Sequence, residues 1–558
     1  MNTDAFLVFL AEIVSTFCAR HPDYSLLAGR VYASYHHGRI PKQFSSWVLS
    51  IEHAQPGIFS DRLLAAVHSH ADALDGAILH SRDFDFTYRA LQIFERSYLL
   101  KSGREVNERL QFLFMRVAIG IHGDAIDDVL QTYHLLSTRK ISLASPALWN
   151  GGLSKRRFAS CYIFEPSVTD AADAIRDFST LSLLWSSDGG IGINVGSVPG
   201  SRGTGDGAHP GLMPLLKTYD SIAAFWSRTS HHRTSSATAF LPIWHTDVSM
   251  RRLDANEMWT LLDPMQAPGL DGLYGDAFDC AYEAYEAQGL ATSTLPARVL
   301  WDVIADGIRE SGTPFLMYGD NVNAKNNQMN LGPIGASNLC TEIVQYSSTV
   351  ETAVCTLASI CLPRYLRGDG TLDYAEIHRV TKLVVRYLDR LIDLNDYPTT
   401  ESAVSAYRTR SLSVGVQGLA DLLGYMEVPF TSLEGRAINS SIFETVYHAA
   451  LESSCELAEQ FGPHDSWQGS PAQQGVLQID MWGAEPSDRY DFDSLRENIR
   501  RNGLRNSVLT AQMPTASTAQ LFGNSEGTDP HLSNILQFRV LGGNFNEISR
   551  PLVVALHK

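Results

Sequence analysis

From His21 to about Ser137 the apolar residues of this chain fall at helical spacing, and strand-like runs begin only after it. Tyr24-Ser-Leu-Leu-Ala-Gly-Arg30, Glu95-Arg-Ser-Tyr-Leu-Leu100 and Met115-Arg-Val-Ala-Ile-Gly-Ile-His122 carry the grouping of packed helices. Further on, Tyr162-Ile163-Phe164 reads as a short apolar strand. Leu383, Val384, Tyr387, Leu388, Leu391 and Ile392 recur as the core-facing stripe of a helix, with no chemistry assigned. That division constrains the fold most: helices lead into an α/β body. With 558 residues the chain admits roughly three or four domains, or one large α/β barrel behind a helical region.

Charge and cysteine use narrow the function classes. A net charge of -17 argues against a general nucleic-acid-binding surface. The clusters Lys155-Arg156-Arg157 and His231-His232-Arg233 are short enough to be solvated loops. No apolar run reaches membrane-spanning length. Ala5-Phe-Leu-Val-Phe-Leu10 lies between Asp4 and Glu12 without a basic leader, which predicts a short amphipathic helix rather than a signal core. Seven cysteines, odd in number and widely spread, do not make a secreted disulfide framework. They imply a reducing compartment, the cytoplasm, where a disulfide is transient and catalytic.

The chemistry concentrates in Asn338-Leu339-Cys340-Thr341-Glu342. An amide, a thiol and a carboxylate stand at i, i+2 and i+4, and the following Ile343-Val344-Gln345-Tyr346 favours extended backbone. In a strand the three side chains would face one cavity. The carboxylate would take a proton, the amide hold an oxygen, and the sulfur act as nucleophile or radical carrier. Alone, Cys340 reads more readily as a small buried apolar residue, as most lone cysteines are. Gly189-Gly190-Ile191-Gly192 lets backbone approach a ligand closely, as glycine clusters in many turns do. Pro514-Thr-Ala-Ser-Thr-Ala-Gln520 offers backbone N–H groups and hydroxyl donors at a helix start, which suits a phosphate or an ordinary helix cap.

Ser337-Asn-Leu-Cys-Thr-Glu-Ile343 closely resembles the active-site loop of the large, catalytic subunit of aerobic ribonucleotide reductases that act on diphosphates. Phrases in the same order extend the resemblance from about His21 to the C-terminus, among them Ser142-Leu-Ala-Ser-Pro-Ala-Leu-Trp-Asn150, Ser311-Gly-Thr-Pro-Phe-Leu-Met-Tyr-Gly-Asp-Asn321 and Val414-Gly-Val-Gln-Gly-Leu-Ala-Asp421. The resemblance implies an N-terminal helical region over 1–137 and an incomplete ten-stranded α/β barrel of the reductase type over 138–558. It implies that Cys340 carries a thiyl radical, Glu342 accepts a proton, Asn338 orients the sugar, and Cys161 and Cys355 form the redox pair. Ser145, Ser160, Gly190, Asn338 and Glu342 would contact substrate, with Thr515, Ala516, Ser517 and Thr518 cradling its diphosphate. No metal ligand and no directly bound cofactor is implied. The radical would come from a metal-containing small subunit, and reducing equivalents from a thioredoxin- or glutaredoxin-type protein. The substrate would be a ribonucleoside diphosphate and the assembly a homodimer, with neither nucleic acid nor membrane as partner. Cys18, Cys280 and Cys455 are read as structural, and Cys361 has no counterpart in the family.

Several departures accompany the resemblance. Only some twenty residues precede His21, so an ATP cone is expected to be missing. The acidic residue and lysine of the effector loop align at Thr169 and Ser186, and the next specificity loop reads Ser227-Arg-Thr-Ser-His-His-Arg-Thr-Ser-Ser236. Both changes speak against nucleotide-directed choice of substrate. Only Ser249 separates Pro242-Ile-Trp-His-Thr-Asp-Val248 from Met250-Arg-Arg-Leu-Asp-Ala-Asn-Glu-Met-Trp259, where the family has a helix and a further strand. The barrel is then expected to keep an edge, re-pair or narrow. The chain ends at Lys558, before the family's radical-relay tyrosines and tail cysteines. An active chain would take these from a second polypeptide; a truncated or viral paralogue would act instead as a protein-binding scaffold. Arg539-Val-Leu-Gly-Gly543 faintly resembles the C-terminal motif of glycyl-radical enzymes, but Asn544 and Phe545 fit the reductase pattern better.

Overall fold

A computed structural model of the chain describes residues 3–103, 105–167, 170–200, 211–228, 234–242, 244, 255–540 and 543–557. Seven helices make the N-terminal layer: α1 (Thr3–Ser15), α2 (Asp23–Arg39), α3 (Phe44–Ala54), α4 (Asp61–Ala77), α5 (Tyr88–Ser97), α6 (Leu110–His122) and α7 (Ile126–Ser137). The helical spacing of the first 137 residues is thus realised, although α5 stops at Ser97 and leaves Leu99 and Leu100 outside it. The expected N-terminal helix forms as α1, which buries only Ala11. Ser60 and Thr87 accept from the backbone N–H groups of Leu63 and Ala90, capping α4 and α5.

Helix α6 is apolar almost all round and lies at the centre of this layer, as such a helix must. It also carries Arg116, which is fully buried. Its guanidinium bonds Glu108 at 2.6 Å and the carbonyls of Trp149 and Gly151 at 3.0 and 2.7 Å. A buried charge of this kind is tolerable only with such pairing.

The α/β body contains β1 (Ile141–Leu143), β2 (Cys161–Phe164), β3 (Gly190–Asn194), β4 (Ala237–Phe240), β5 (Met258–Leu262), β6 (Ala291–Pro296), β7 (Ala353–Cys355), β8 (Leu357–Cys361) and β9 (Ser413–Gln417). Strand order is β4-β3-β2-β7 in one sheet and β9-β8-β1 in another. Only Thr356 separates β7 from β8, so one extended stretch joins the two sheets. Thr510 pairs with Val414 in parallel and adds chain beyond β9. Every residue of β1, β2, β3, β7, β8 and β9 is buried, as in sheets covered on both faces.

Around these strands stand α8 (Ser145–Asn150), α9 (Ala171–Ser186), α10 (Leu212–Ser227), α11 (Tyr374–Leu394), α12 (Leu433–Phe461) and α13 (Ala516–Phe522). The stripe expected at 383–392 is the buried face of α11.

Among the described residues the sheets do not close into a barrel. Among the described residues strand β4 has β3 as its one partner and alternates exposed and half-buried residues; it stands as an edge, one of the outcomes expected of the short link at Ser249. The link itself, residues 245–254, lies outside the described residues. Strands β5 and β6 form a separate antiparallel pair with its own small core, including Trp259, Phe278 and Tyr282. Lys155-Arg156-Arg157 is a loop, with Arg156 paired to Asp396 at 2.8 Å; His231-His232-Arg233 lies outside the described residues.

Candidate active site

The pairing of β2 with β7 sets Cys161 opposite Cys355 in antiparallel register. Directly opposed residues have Cα atoms about 4.5–5.5 Å apart, within the roughly 4.4–6.8 Å range of a disulfide. Both are present as thiols, packed in an apolar cluster with Ile163, Ala336, Ile343 and Met513. Parallel pairing of β2 with β3 places Gly190 on the other side of Cys161. The Ser160 carbonyl accepts from Gly190 N–H at 3.1 Å, while Ser160 N–H donates to Cys355 O at 3.0 Å. Ser160, Cys161, Gly190 and Cys355 therefore share one end of the sheet. Burial pushes the Cys355 thiol well above its ordinary pKa; the neighbouring Cys161, Glu342 and Cys340 push it further. Cys355 therefore remains a protonated thiol at neutral pH.

Residues 338–342 cross this end as a turn, not as the extended strand their composition predicts. Thr341 adopts a left-handed φ of 67°, and its N–H donates to the Asn338 carbonyl at 3.2 Å. The buried Asn338 side chain closes the turn from within: its Oδ1 accepts from the N–H groups of Glu342 and Ile343 at 3.2 and 3.3 Å. Asn and other short polar side chains compete with regular ladders in this way, which overrides the strand preference of Ile343 and Val344. Ser337 Oγ donates to Ile343 O at 2.6 Å, and Thr238 Oγ1 donates to Leu339 O at 2.8 Å. Beneath the turn, a Cβ added to Gly192 would stand 2.8 Å from the Ser337 carbonyl carbon and 3.0 Å from Asn338 Cα. Only glycine lets β3 and the turn approach so closely.

The turn leaves Cys340 exposed at its tip and Glu342 half-buried behind it. Burial raises the Glu342 pKa; the Asn338 amide, near but beyond hydrogen-bond range, pulls the other way. Asn338 Nδ2, Thr341 Oγ1 and Glu342 Oε2 are buried without a hydrogen-bond partner. Each such group costs about 1–3 kcal/mol, which a polar ligand would relieve.

Two further segments approach the thiol cluster. Ala144 and Met513 pack against it, and Ser145 and Thr515 follow each within two residues. Ser145 opens α8 and exchanges a 2.8 Å hydrogen bond with Tyr98 Oη. At the start of α13 one expected hydroxyl donor, Thr518, is spent, and Thr515 is engaged only as an acceptor. Thr515 Oγ1 accepts from Gly527 N–H at 2.8 Å, and Thr518 Oγ1 donates to Thr515 O at 3.1 Å. Thr515, at φ 54°, also makes no side-chain cap. Ala516 and Ser517 are exposed, so the first-turn N–H groups and Ser517 remain to face a phosphate.

The profile of the family "Ribonucleotide reductase, barrel domain" matches residues 159–250 and 246–558, and "Ribonucleotide reductase, all-alpha domain" matches 84–156. Similar curated proteins include a ribonucleoside-diphosphate reductase large subunit from Caenorhabditis elegans, 40% identical over 97% of this chain and 73% of its own length. The large chain from Schizosaccharomyces pombe is 39% identical over 97% of this chain and 71% of its own length. The large subunit of Variola virus is 39% identical, with 98% and 76% covered. The chain belongs to the ribonucleotide reductase large-subunit family. The two barrel-domain matches of that family overlap at 246–250, the place of the short link at Ser249.

Cys361 is buried in β8, and Cys18 and Cys455 are buried elsewhere. Cys280 is exposed, so burial gives it no structural role. Thr169 and residues 229–233 of the specificity loop lie outside the described residues, as do Leu541 and Gly542 of the Arg539–Gly543 stretch. Ser186 ends α9, its hydroxyl donating to Leu183 O at 2.8 Å. Gly192 and Thr238 were not singled out from the sequence: Gly192 stands in the motif already noted for Gly190, while Thr238 has no signature.

Proposed function

We propose that this chain is the large, catalytic subunit of a ribonucleoside-diphosphate reductase, making deoxyribonucleoside diphosphates for DNA precursor supply. The observation carrying this reading is the exposed Cys340 on a braced turn above the opposed thiols of Cys161 and Cys355. As a thiyl radical, Cys340 takes the 3′ hydrogen of the ribose. Glu342, with its free buried oxygen, accepts the 3′-hydroxyl proton, and the Asn338 amide orients the sugar. The 2′-hydroxyl leaves as water while Cys161 and Cys355 give up two protons and two electrons and close a disulfide. Cys340 then returns hydrogen to the 3′ carbon. The net change is ribonucleoside diphosphate plus dithiol to deoxyribonucleoside diphosphate, disulfide and water. Ser145, Ser160 and Gly190 line the sugar side, and Ala516, Ser517 and the N–H groups of 516–518 take the diphosphate, with Thr515 and Thr518 shaping that turn.

A metal-containing small subunit supplies the radical, and a thioredoxin- or glutaredoxin-type protein reduces the disulfide. The working assembly is a homodimer: α9 and α10 pack together and expose Ile175, Leu183, Met213 and Phe225 as a surface for a second copy. Among the described residues no helix is long and apolar enough to cross a membrane; the thiol chemistry suits the cytoplasm. Retention of an opposed thiol pair and unpartnered polar groups beneath Cys340 weighs against a purely scaffolding paralogue.

The test is reduction of a ribonucleoside diphosphate with dithiothreitol and radical-generating small subunits, comparing wild type with Cys340→Ser. Deoxynucleotide formation by wild type alone supports the reading. Product from both proteins, or from neither with every small subunit despite intact folding, overturns it.

A further inference from the structure

Among the described residues two groups of histidine and carboxylate side chains hold their ligand atoms within 4.8 Å of one another. In the first, His37, His80 and Asp83, the space is already used. Arg109 Nη1 lies 3.4 Å from His80 Nδ1, and Gln111 donates to Asp83 at 2.9 Å. A cation there would meet a guanidinium. The second group, His378, His448 and Glu452, lies between two packed helices, α11 and α12.

We propose that His378, His448 and Glu452 bind a transition-metal ion of the Zn²⁺ type that clamps α11 to α12. His448 and Glu452 are one turn apart on α12 and so share a face. His378 Nε2 reaches across from α11 to within 3.0 Å of His448 Nδ1 and 3.7 Å of Glu452 Oε2. Tetrahedral ligands at Zn²⁺ distances of roughly 2.0–2.2 Å stand about 3.3–3.6 Å apart, so small side-chain shifts admit the ion. A backbone hydrogen bond with Asp491 also holds the His448 ring, the usual outer support of a metal-bound histidine.

Tyr490 stacks on both imidazoles, with centroids at 5.1 and 4.6 Å and ring planes within 21°, and Phe492 meets His448 edge-on. The rings are therefore oriented before any ion arrives. His448 is buried, whereas His378 and Glu452 are partly open to solvent, leaving an entry path and room for a water as fourth ligand.

Lys382 is the competing cation, 2.8 Å from Glu452 Oε2. It is also held at 2.6 Å by Glu456, which bonds Arg386 as well, so Glu452 is released without stranding the lysine. Helix α11 packs on β8 and β9, and α12 on β9. The ion thus fastens the layer behind the strands that continue from Cys355.

The test titrates the reduced, chelator-treated full chain with Zn²⁺ by calorimetry and with Co²⁺ by visible absorption. Wild type, His378→Gln, Glu452→Gln and Lys382→Met are compared, each checked for fold by circular dichroism. Wild type should bind one equivalent with nitrogen/oxygen Co²⁺ bands lacking thiolate charge transfer. That equivalent should weaken by at least about 100-fold in His378→Gln and in Glu452→Gln and tighten in Lys382→Met. Zn²⁺ should raise the melting midpoint of wild type but not of the two ligand variants. Failure of folded wild type to bind this equivalent, or equal affinity and spectra in wild type and whichever ligand variants fold, overturns the proposal. The two ligands lie on different helices, and Lys382→Met removes neither, so loss of one variant to misfolding leaves the others to decide.

Discussion

Replacing Gly192 by alanine tests how the Cys340 turn is held. The new Cβ would lie 2.8 Å from the Ser337 carbonyl carbon and 3.0 Å from Asn338 Cα, both backbone atoms. The Ser337 carbonyl oxygen would be nearer still, and carbon atoms settle at about 3.5–4.0 Å, so the turn or β3 must give way by at least about 1 Å, with no flexible side chain to absorb the shift. Overpacking of this kind costs about 1–3 kcal/mol, enough to lower the melting midpoint without unfolding the chain. The larger effect falls on chemistry. Asn338, Cys340 and Glu342 ride on the displaced segment, and a misplacement near 1 Å costs about 10²-fold in rate. The assay is steady-state deoxynucleotide formation with saturating small subunit and dithiol, alongside thermal melting. Gly76→Ala is the control: Gly76 lies in α4 with open space beside it, and alanine there should be neutral or stabilising. Wild-type turnover in Gly192→Ala would refute the argument that this close approach positions the turn.

Glu342 sets a pH dependence with opposite signs for rate and stability. Its folded-state pKa is raised by burial, so the base is lost on acidification above the ordinary carboxylate range. The acid limb of kcat/KM should lie there and vanish, with much lower activity, in Glu342→Gln. The folded chain holds this proton where the unfolded chain has lost it, so stability from this group falls as pH rises through the folded pKa. Glu342→Gln should remove that fall in melting midpoint, and an unchanged acid limb in the variant would contradict the assignment. In the helical layer, Arg116→Met leaves Glu108 buried without its partner and should cost about 3–5 kcal/mol in denaturant unfolding. The double variant Arg116→Met/Glu108→Gln should recover much of it; equal losses in both would argue against the pair.

Periodicity made the helical region and the α11 stripe legible, because a buried helix face repeats over many residues whatever its partners. The edge on β4 was legible from a link too short to hold another strand. The thiol pair was legible only through family resemblance: Cys161 and Cys355 are almost two hundred residues apart, and no local pattern announces a cross-strand pair. The shape of the 338–342 turn was misread. Ile343 and Val344 favour a strand, but one buried side chain, Asn338, captures two N–H groups and Thr341 accepts a left-handed conformation. The hydroxyl of Thr518 was counted as a ligand donor, whereas folding turns it onto the Thr515 carbonyl. His378, His448 and Glu452 escaped notice because an i, i+4 pair acquires meaning only when a third ligand arrives from another helix.

The most direct measurement is disulfide mapping by mass spectrometry after a single turnover without added reductant. Wild type with its small subunit should link the peptides of Cys161 and Cys355 in proportion to deoxynucleotide formed, and Cys340→Ser should yield neither product nor link. A product-coupled disulfide between other cysteines, or the Cys161–Cys355 link forming in step with product in Cys340→Ser, would contradict the account.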